Sequence, residues 1–300
     1  MSALWCSIES SSIEAEDGHQ IHVLRSSTER RSSKGPLLFI HGSYHSAYCW
    51  GDKFLPFFAG DLGYECTALS LRGTGPTGMI DGDSSKSIAI DRHISDVRRV
   101  LDRFSRPPTI IAHSFGGLVT MKLLEDEGYR RKVRGVVTLC SVPPSGNGPM
   151  TKRFLLRDFW SAIKITRGFV LKEVKNSPKI CRELFFDESV GDEDIAKYMQ
   201  RFKEDSEIGI DLGSLRGQLP SDTSMSDSGL ATYLESDMNL RRLCIGAEKD
   251  YIVDREGVEE TAKYFDVSPK YIENAYHDCM LGPAWEPTAK VIEQWLEEGV

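Results

Sequence analysis

The sequence predicts an α/β fold: a mostly parallel, doubly wound sheet, flanked by helices and interrupted by one inserted helical segment. Three observations predict it. Short apolar runs of strand length alternate with segments of helical periodicity. A hairpin pattern precedes the first of these runs. The alternation stops near residue 143 and resumes near residue 236, so the sheet is expected to be built from residues 1–142 and 236–300, with 143–235 as the insertion.

Composition limits the class of protein. The chain has 300 residues, 40% hydrophobic and 27% charged, which is typical of globular proteins. Its 45 acidic and 37 basic residues give a formal charge of −8, and no run of positive residues suits a phosphate backbone, so nucleic acid is not an expected partner. No apolar stretch reaches the roughly 18 residues of a membrane span, and no signal or transit peptide is visible, which favours a cytoplasmic location.

Cysteine usage agrees with that location. The seven cysteines lie singly, without a C-x-x-C pair. This pattern favours reduced thiols and argues against a zinc site or a disulfide framework. No metal is therefore expected.

The first elements form a hairpin followed by alternating strands and helices. Asp17-Gly18 supplies the positive φ of a hairpin turn ahead of the apolar residues at 21–24, which predicts two antiparallel strands in the first thirty residues. Buried strands are predicted at 37–40 and 64–71, with a helix at 50–59 between them.

A clear helix follows. Its apolar residues are spaced 4, 3, 4 and 3 apart, which places them on one face: Ile90, Ile94, Val97, Leu101 and Phe104. The pattern then predicts a strand at 108–112, a helix at 118–127 and a strand at 133–139. After the insertion it predicts a strand at 240–245, a helix near 255–264, a strand near 270–272 and a closing helix.

A nucleophile elbow is predicted at Ser114. This serine lies between a predicted strand and a predicted helix, with Ala112 two residues before it and Gly116 two residues after it. The small neighbours are needed because the turn is tight, and Ala112 replaces the commoner glycine. Ser114 is therefore the predicted nucleophile.

A serine hydroxyl needs a base and an orienting carboxylate. His277 is the only histidine downstream of Ser114, and it lies in a loop before the last helix. Asp250 follows a short buried strand and a glycine turn, so it is the predicted acid. Three alternatives compete with it: Asp254 first, Glu248 less strongly, and Asp278, which adjoins the histidine too closely in sequence to reach its ring comfortably.

Acyl transfer also needs two donors for the oxyanion. The amide of Phe115, directly after the nucleophile, supplies the first. The second is expected from the amide of Ser43, where Gly42 lets the backbone approach after the 37–40 strand.

Together these motifs resemble the α/β-hydrolase superfamily, in its lidded serine esterase or lipase-like branch. The resemblance covers most of the chain and includes His41 to His45, the Arg72-Gly73-Thr74-Gly75 loop, the Ser114 elbow, the turn at 246–250 and the His277 loop. Thr74 stands where many relatives have histidine, in a loop that is not catalytic.

The resemblance implies a doubly wound α/β-hydrolase sheet whose 143–235 insertion is a helical cap over the active site. Phe185 and Phe186 in that cap are expected to line an apolar pocket or to form the core of the cap. Tyr44 and His45, just past the oxyanion loop, are expected either to border the substrate or to lie on the surface.

The predicted function is serine hydrolysis of a carboxylic ester, thioester or lactone of a small to medium, largely apolar molecule, without a cofactor. Relatives with an aspartate nucleophile are epoxide hydrolases or dehalogenases, and Ser114 disfavours those chemistries. The alternatives are a lyase or an acyltransferase that uses the same triad, and a ligand-binding receptor with this fold.

Overall fold

Eight strands form one sheet in the computed structural model, which describes residues 6–28, 34–77, 87–157, 168, 172–205, 209–210, 214–235, 237 and 239–299. The sheet order is β1-β2-β4-β3-β6-β7-β9-β10, and every neighbouring pair from β4 to β10 is parallel. The predicted α/β class with a mostly parallel sheet is confirmed. The strands are β1 (Cys6–Glu14), β2 (Gln20–Thr28), β3 (Leu37–Ile40), β4 (Cys66–Leu69), β5 (Ser87–Ile88), β6 (Thr109–His113), β7 (Gly135–Leu139), β8 (Gly209–Ile210), β9 (Arg241–Ala247) and β10 (Lys270–Ile272).

The α-helices cover the sheet and build much of the described insertion. None of the described helices is long and apolar enough to cross a membrane. They are α1 (Tyr48–Gly51), α2 (Ile90–Leu101), α3 (Phe115–Glu125), α4 (Glu127–Arg130), α5 (Asn147–Arg157), α6 (Pro178–Phe185), α7 (Asp192–Asp205), α8 (Pro220–Thr223), α9 (Arg255–Tyr264) and α10 (Trp285–Glu297).

The core lies on both faces of the sheet. The central strands are buried throughout, and their residues alternate between the two sides. Phe39 packs into one hydrophobic cluster, whereas its neighbours Leu38 and Ile40 pack into the other. Phe185 and Phe202, from the insertion, belong to the cluster of Phe39. Helices of the insertion therefore share a core with one face of the sheet.

Three local predictions differ from the structure. The helix predicted at 50–59 is split into α1 and a π-helical segment, Pro56–Asp61, because Pro56 has no N–H to continue α-helical bonding. The first hairpin has a five-residue loop, 15–19, closed by the Ala15 amide on the His19 carbonyl, rather than a two-residue turn. The segment 143–235, expected to be helical, contains the strand β8, which pairs with β5 in a second, two-stranded parallel sheet.

The parallel strands bring the predicted site residues to one edge of the sheet. Ile40, at the end of β3, is in register with Ala112 of β6, so the loop after β3 lies beside the elbow after β6. β9 ends three residues before Asp250, and β10 ends five residues before His277. Carboxyl ends of parallel strands meet at one edge, which explains why residues distant in sequence converge.

Candidate active site

Ser114 occupies a strained turn between β6 and α3. Its φ of 51° is in the left-handed region, which bulky residues rarely adopt. The turn needs small neighbours, because a Cβ on Gly116 would lie 2.6 Å from the His41 carbonyl oxygen and one on Gly117 would lie 2.1 Å from Ser141 Oγ. The predicted strand-turn-helix geometry is present at this serine.

The structure brings Ser114, His277 and Asp250 together. His277 Nε2 lies 3.1 Å from Ser114 Oγ, and His277 Nδ1 lies 2.9 and 3.1 Å from the two Asp250 carboxylate oxygens. A carboxylate can only accept, so Nδ1 carries the proton and donates to Asp250. Nε2 is then free to accept the proton of the serine hydroxyl. Such an arrangement is able to activate a serine hydroxyl for nucleophilic attack.

Asp250 is itself held in place by the backbone. Its Oδ1 accepts the amides of Ile252 at 2.7 Å and Val253 at 2.9 Å. The buried Cys140 thiol lies beside this carboxylate and beside His277. The backbone donors fix the carboxylate orientation, in which both oxygens lie within 3.1 Å of His277 Nδ1.

The competing acids lie elsewhere. Asp254 caps α9 through the Gly257 amide and pairs with Arg153. Glu248 accepts the Asn274 amide. Asp278 bonds to His45 rather than to the catalytic imidazole. Among the four candidate acids, Asp250 has the contact that the chemistry needs.

The electrostatic surroundings of His277 raise its pKa. Burial opposes protonation of the ring, but the charge of Asp250 and the hydrogen bond to it favour the imidazolium, and Asp278 adds to them. The net direction is upward from the ordinary value of 6.5. A base with a raised pKa removes a proton more readily.

The loop after β3 lies against the nucleophile. A Cβ on Gly42 would come within 2.7 Å of Ser114 Cβ and 2.8 Å of His113 Nδ1, so only glycine fits. His41 anchors this loop, since its Nε2 accepts the Leu71 amide at 2.8 Å and its Nδ1–H donates to the Gly42 carbonyl. Burial lowers the pKa of His41 to about 3, so it stays neutral.

The two predicted oxyanion donors flank the elbow. Phe115 is the first residue of α3, where an amide has no intrahelical acceptor. Ser43 follows Gly42 in the loop that abuts the nucleophile. Both amides therefore belong to backbone next to Ser114 at the carboxyl edge of the sheet.

Aromatic residues cover the triad. The Phe185 ring centroid, at the end of α6, lies 5.9 Å from that of His277 and 5.1 Å from that of Phe202. Ser114 is only 5% exposed. Tyr44 and His45 pack against Phe202 and are buried, so the alternative that they lie on the surface is wrong. Phe186 stacks on Tyr198 at 4.5 Å.

A cavity of about 280 Å³ lies next to this aromatic cover, between α7 and the loop around α1. His45 and Phe202 line it, together with Asp205 and Leu281, whereas Ser114 is not among its lining residues. His45 and Phe202 therefore lie at the border between this cavity and the residues around the nucleophile.

Two groups of side chains in the described part of the chain have the spacing of metal ligands. One is His45, His113 and Asp278; the other is Cys140, Asp250 and His277. Hydrogen bonds already engage His45 Nε2, His113 Nε2 and His277 Nδ1. Each of these three nitrogens therefore has a hydrogen-bond partner within the protein.

Sequence reasoning missed how His113 and Asp278 are used. His113 precedes the nucleophile, Asp278 follows the base, and both are buried at the carboxyl edge. Their adjacency to Ser114 and His277 places their backbone at the same edge of the sheet, but the contacts of their side chains depend on orientation, which the sequence spacing does not give.

Comparison with known proteins gives the family. A sequence profile described as the alpha/beta hydrolase family matches residues 37–292. No curated protein matches the sequence significantly.

Solved structures share the fold. An esterase from Exiguobacterium antarcticum is 15% identical with a TM-score of 0.68, over 96% of this chain and 100% of that chain. Potato (Solanum tuberosum) epoxide hydrolase I is 17% identical with a TM-score of 0.66, over 97% and 100%. An N-acyl homoserine lactone degrading enzyme is 17% identical with a TM-score of 0.59, over 95% and 99%. Since the profile match spans most of the sequence, the chain belongs to the alpha/beta hydrolase family.

Proposed function

We propose that the protein is a serine hydrolase that cleaves a carboxylic ester, thioester or lactone through an acyl-enzyme. The contact of Ser114 Oγ with His277 Nε2 at 3.1 Å carries the proposal. An epoxide hydrolase of this family uses an aspartate nucleophile, as the resemblance implies, and a serine stands at that position here. Family membership supports hydrolysis, and the serine favours acyl transfer to water.

The proposed reaction first forms an acyl-enzyme on Ser114 and then hydrolyses it. Ser114 Oγ attacks the carbonyl carbon while its proton passes to His277 Nε2, and Asp250 stabilises the imidazolium. The amides of Phe115 and Ser43 donate to the oxyanion. The bond to the leaving group then breaks, and His277 gives that group its proton. Water attacks the acyl-enzyme in the same way, which releases the acid and restores Ser114. No metal or organic cofactor enters these steps.

The substrate is proposed to be small to medium in size and largely apolar. Phe185 lies against His277, and Phe202, Tyr44 and His45 pack around Phe185 to complete a largely aromatic cover over the triad. Such a lining favours apolar acyl groups and fits the segment 143–235 acting as a cap, parts of which, including 158–167, lie outside the described residues.

Labelling with a fluorophosphonate tests the nucleophile without a known substrate. Intact-mass measurement is expected to show one adduct on the wild type and none on Ser114→Ala. Ser141→Ala is the matched control, because Ser141 is also buried near the elbow but its hydroxyl donates to the Val142 carbonyl. This control should label like the wild type. An unlabelled, folded wild type, or an adduct that persists on Ser114→Ala, would refute the proposal.

The raised pKa of His277 predicts the acidic limb of the pH profile. The base must be neutral to accept the serine proton, so kcat/KM falls as pH drops through the pKa of His277 in the free enzyme. Since Asp250 and Asp278 raise that pKa above 6.5, half-maximal kcat/KM is expected above pH 6.5. Rates on a p-nitrophenyl ester between pH 5 and 9 measure this midpoint. A midpoint below 6.5 would contradict the electrostatic assignment.

A further inference from the structure

Residues next to the triad in sequence form a second buried cluster. His113 precedes Ser114, Asp278 follows His277, and His45 lies two residues after Ser43. The polar atoms of His45, His113 and Asp278 lie within 4.8 Å of one another, and all three residues are buried. The three residues thus come from the segments that carry the proposed oxyanion donor Ser43, the nucleophile Ser114 and the base His277.

Hydrogen bonds connect these three parts. His45 Nε2–H donates to the Asp278 carboxylate at 3.1 Å, which joins the oxyanion loop to the loop of the base. His113 Nε2–H donates to the His277 carbonyl at 3.0 Å, which joins the nucleophile strand to the same loop. The Asp278 amide donates to the Phe185 carbonyl at 3.1 Å, at the end of α6. The loop of the base is thus held from three sides.

The Asp278 carboxylate is an unusual group to find here. Its side chain has no exposed surface, and burying a carboxylate is costly unless a partner compensates. Its partner, His45, lies 233 residues away and in the loop that carries a proposed oxyanion donor. A contact with a purely structural role could be made by apolar side chains, without the cost of burying a carboxylate between these two loops.

We propose that Asp278 and His45 are positioning residues that fix the oxyanion loop against the catalytic base. The inference rests on the proposed serine hydrolase function. Asp278 keeps the His277 loop at the distance at which Nε2 meets Ser114, and His45 sets Ser43 relative to the same loop. Neither side chain exchanges a proton with substrate. Their contribution is the relative placement of base and oxyanion donor.

The charge of Asp278 also reaches the base. Groups facing His277 from the surrounding elements are Asp250 after β9, His113 at the end of β6, Cys140 after β7, and Asp278 and Cys279 in its own loop, with His45 behind Asp278. Removing the negative charge of Asp278 disfavours the imidazolium. The acidic limb of kcat/KM should then move to lower pH.

Four single variants and one double variant test the pair, assayed with a p-nitrophenyl ester and by the rate of fluorophosphonate labelling. Asp278→Ala should lower kcat about 100-fold with little change in KM, because a misplaced base loses about that much. Asp278→Asn keeps an acceptor for His45, so kcat should fall less than 10-fold while the acidic limb moves to lower pH. His45→Gln keeps a donor and should retain most of the kcat that His45→Ala loses.

The double variant His45→Ala/Asp278→Ala isolates the pair. It removes both partners of the His45–Asp278 hydrogen bond, so neither is left unpaired by the loss of the other, and its kcat should be no lower than that of Asp278→Ala alone, because both changes remove the same contact. If Asp278→Ala does not fold, the kcat values and labelling rates of the double variant and of Asp278→Asn test the positioning role instead.

Two results would overturn the positioning role. One is a folded double variant whose kcat and labelling rate equal those of the wild type. The other is equal losses in His45→Gln and His45→Ala. These results differ from a failure of the proposed function, in which labelling is absent or independent of Ser114.

Discussion

Replacing Asp250 with asparagine is expected to lower kcat about 10⁴-fold while the fold stays intact. Two backbone amides, of Ile252 and Val253, donate to Oδ1 of Asp250. They would hold the carbonyl oxygen of the new amide in that place, so its NH₂ group would take the position 2.9 Å from His277 Nδ1. That NH₂ donor lies closer to Nδ1 than the amide oxygen at 3.1 Å, so it favours the imidazole tautomer with the proton on Nε2, in which His277 can no longer take the proton of Ser114. Steady-state kinetics on a p-nitrophenyl ester measure the loss.

Asp254→Asn is the matched control for this prediction. Asp254 was the principal competing acid in the sequence, lies four residues further on, and caps α9 through the Gly257 amide. Asparagine caps as well as aspartate, so the change removes mainly the charge of the partly buried, bidentate ion pair with Arg153, which lowers stability without touching His277. Its kcat should match the wild type. Equal kinetic losses in the two variants would assign the effect to the local fold rather than to the imidazole tautomer.

Most of the fold followed from local sequence patterns. The strand predicted at 37–40 matches β3, and the 4-3-4-3 spacing that begins at Ile90 matches α2. Burial imposes these patterns on neighbouring residues, so they can be recognised without tertiary information. The prediction of one continuous helix at 50–59 was wrong, because the missing N–H of Pro56 changes the hydrogen bonding there and a single residue does not alter the apolar periodicity. The strand β8 was missed because two residues are too few to show a periodic pattern.

For the candidate site, the sequence predicted which residues converge but not the detailed contacts between their side chains. Ser114, Asp250 and His277 each follow a strand, and parallel strands deliver their carboxyl ends to one edge, so their meeting could be expected from topology. Which acid contacts His277 depends on the turn after β9, where two backbone amides aim the Asp250 carboxylate. The pair of Asp278 with His45 spans 233 residues and depends on side-chain orientation, which no spacing rule contains.

Lowering the pH from 7.5 to 5.5 is expected to destabilise the protein through its buried histidines. Burial is the main cause that lowers the pKa of His41 and His93 to about 3 and that of His113 well below 6.5. These rings stay neutral when folded but take up protons near pH 6.5 when unfolded, so the unfolded state binds more protons and stability falls as pH falls. Each ring contributes about 1.4 kcal/mol over this range, and the three together about 4 kcal/mol. Urea unfolding at both pH values measures the change.

His93→Leu isolates one of these terms. Neither ring nitrogen of His93 has a hydrogen-bond partner among the described residues, and the ring packs edge-on against Phe115 at 5.6 Å, so leucine replaces it without removing a bond. His277 and Asp96, whose pKa values are raised, act in the opposite direction and are common to both proteins. The pH-dependent loss in His93→Leu should therefore be smaller than in the wild type by about 1.4 kcal/mol. An unchanged loss would mean that His93 is protonated equally in the folded and unfolded chains, which a buried ring without a partner does not allow.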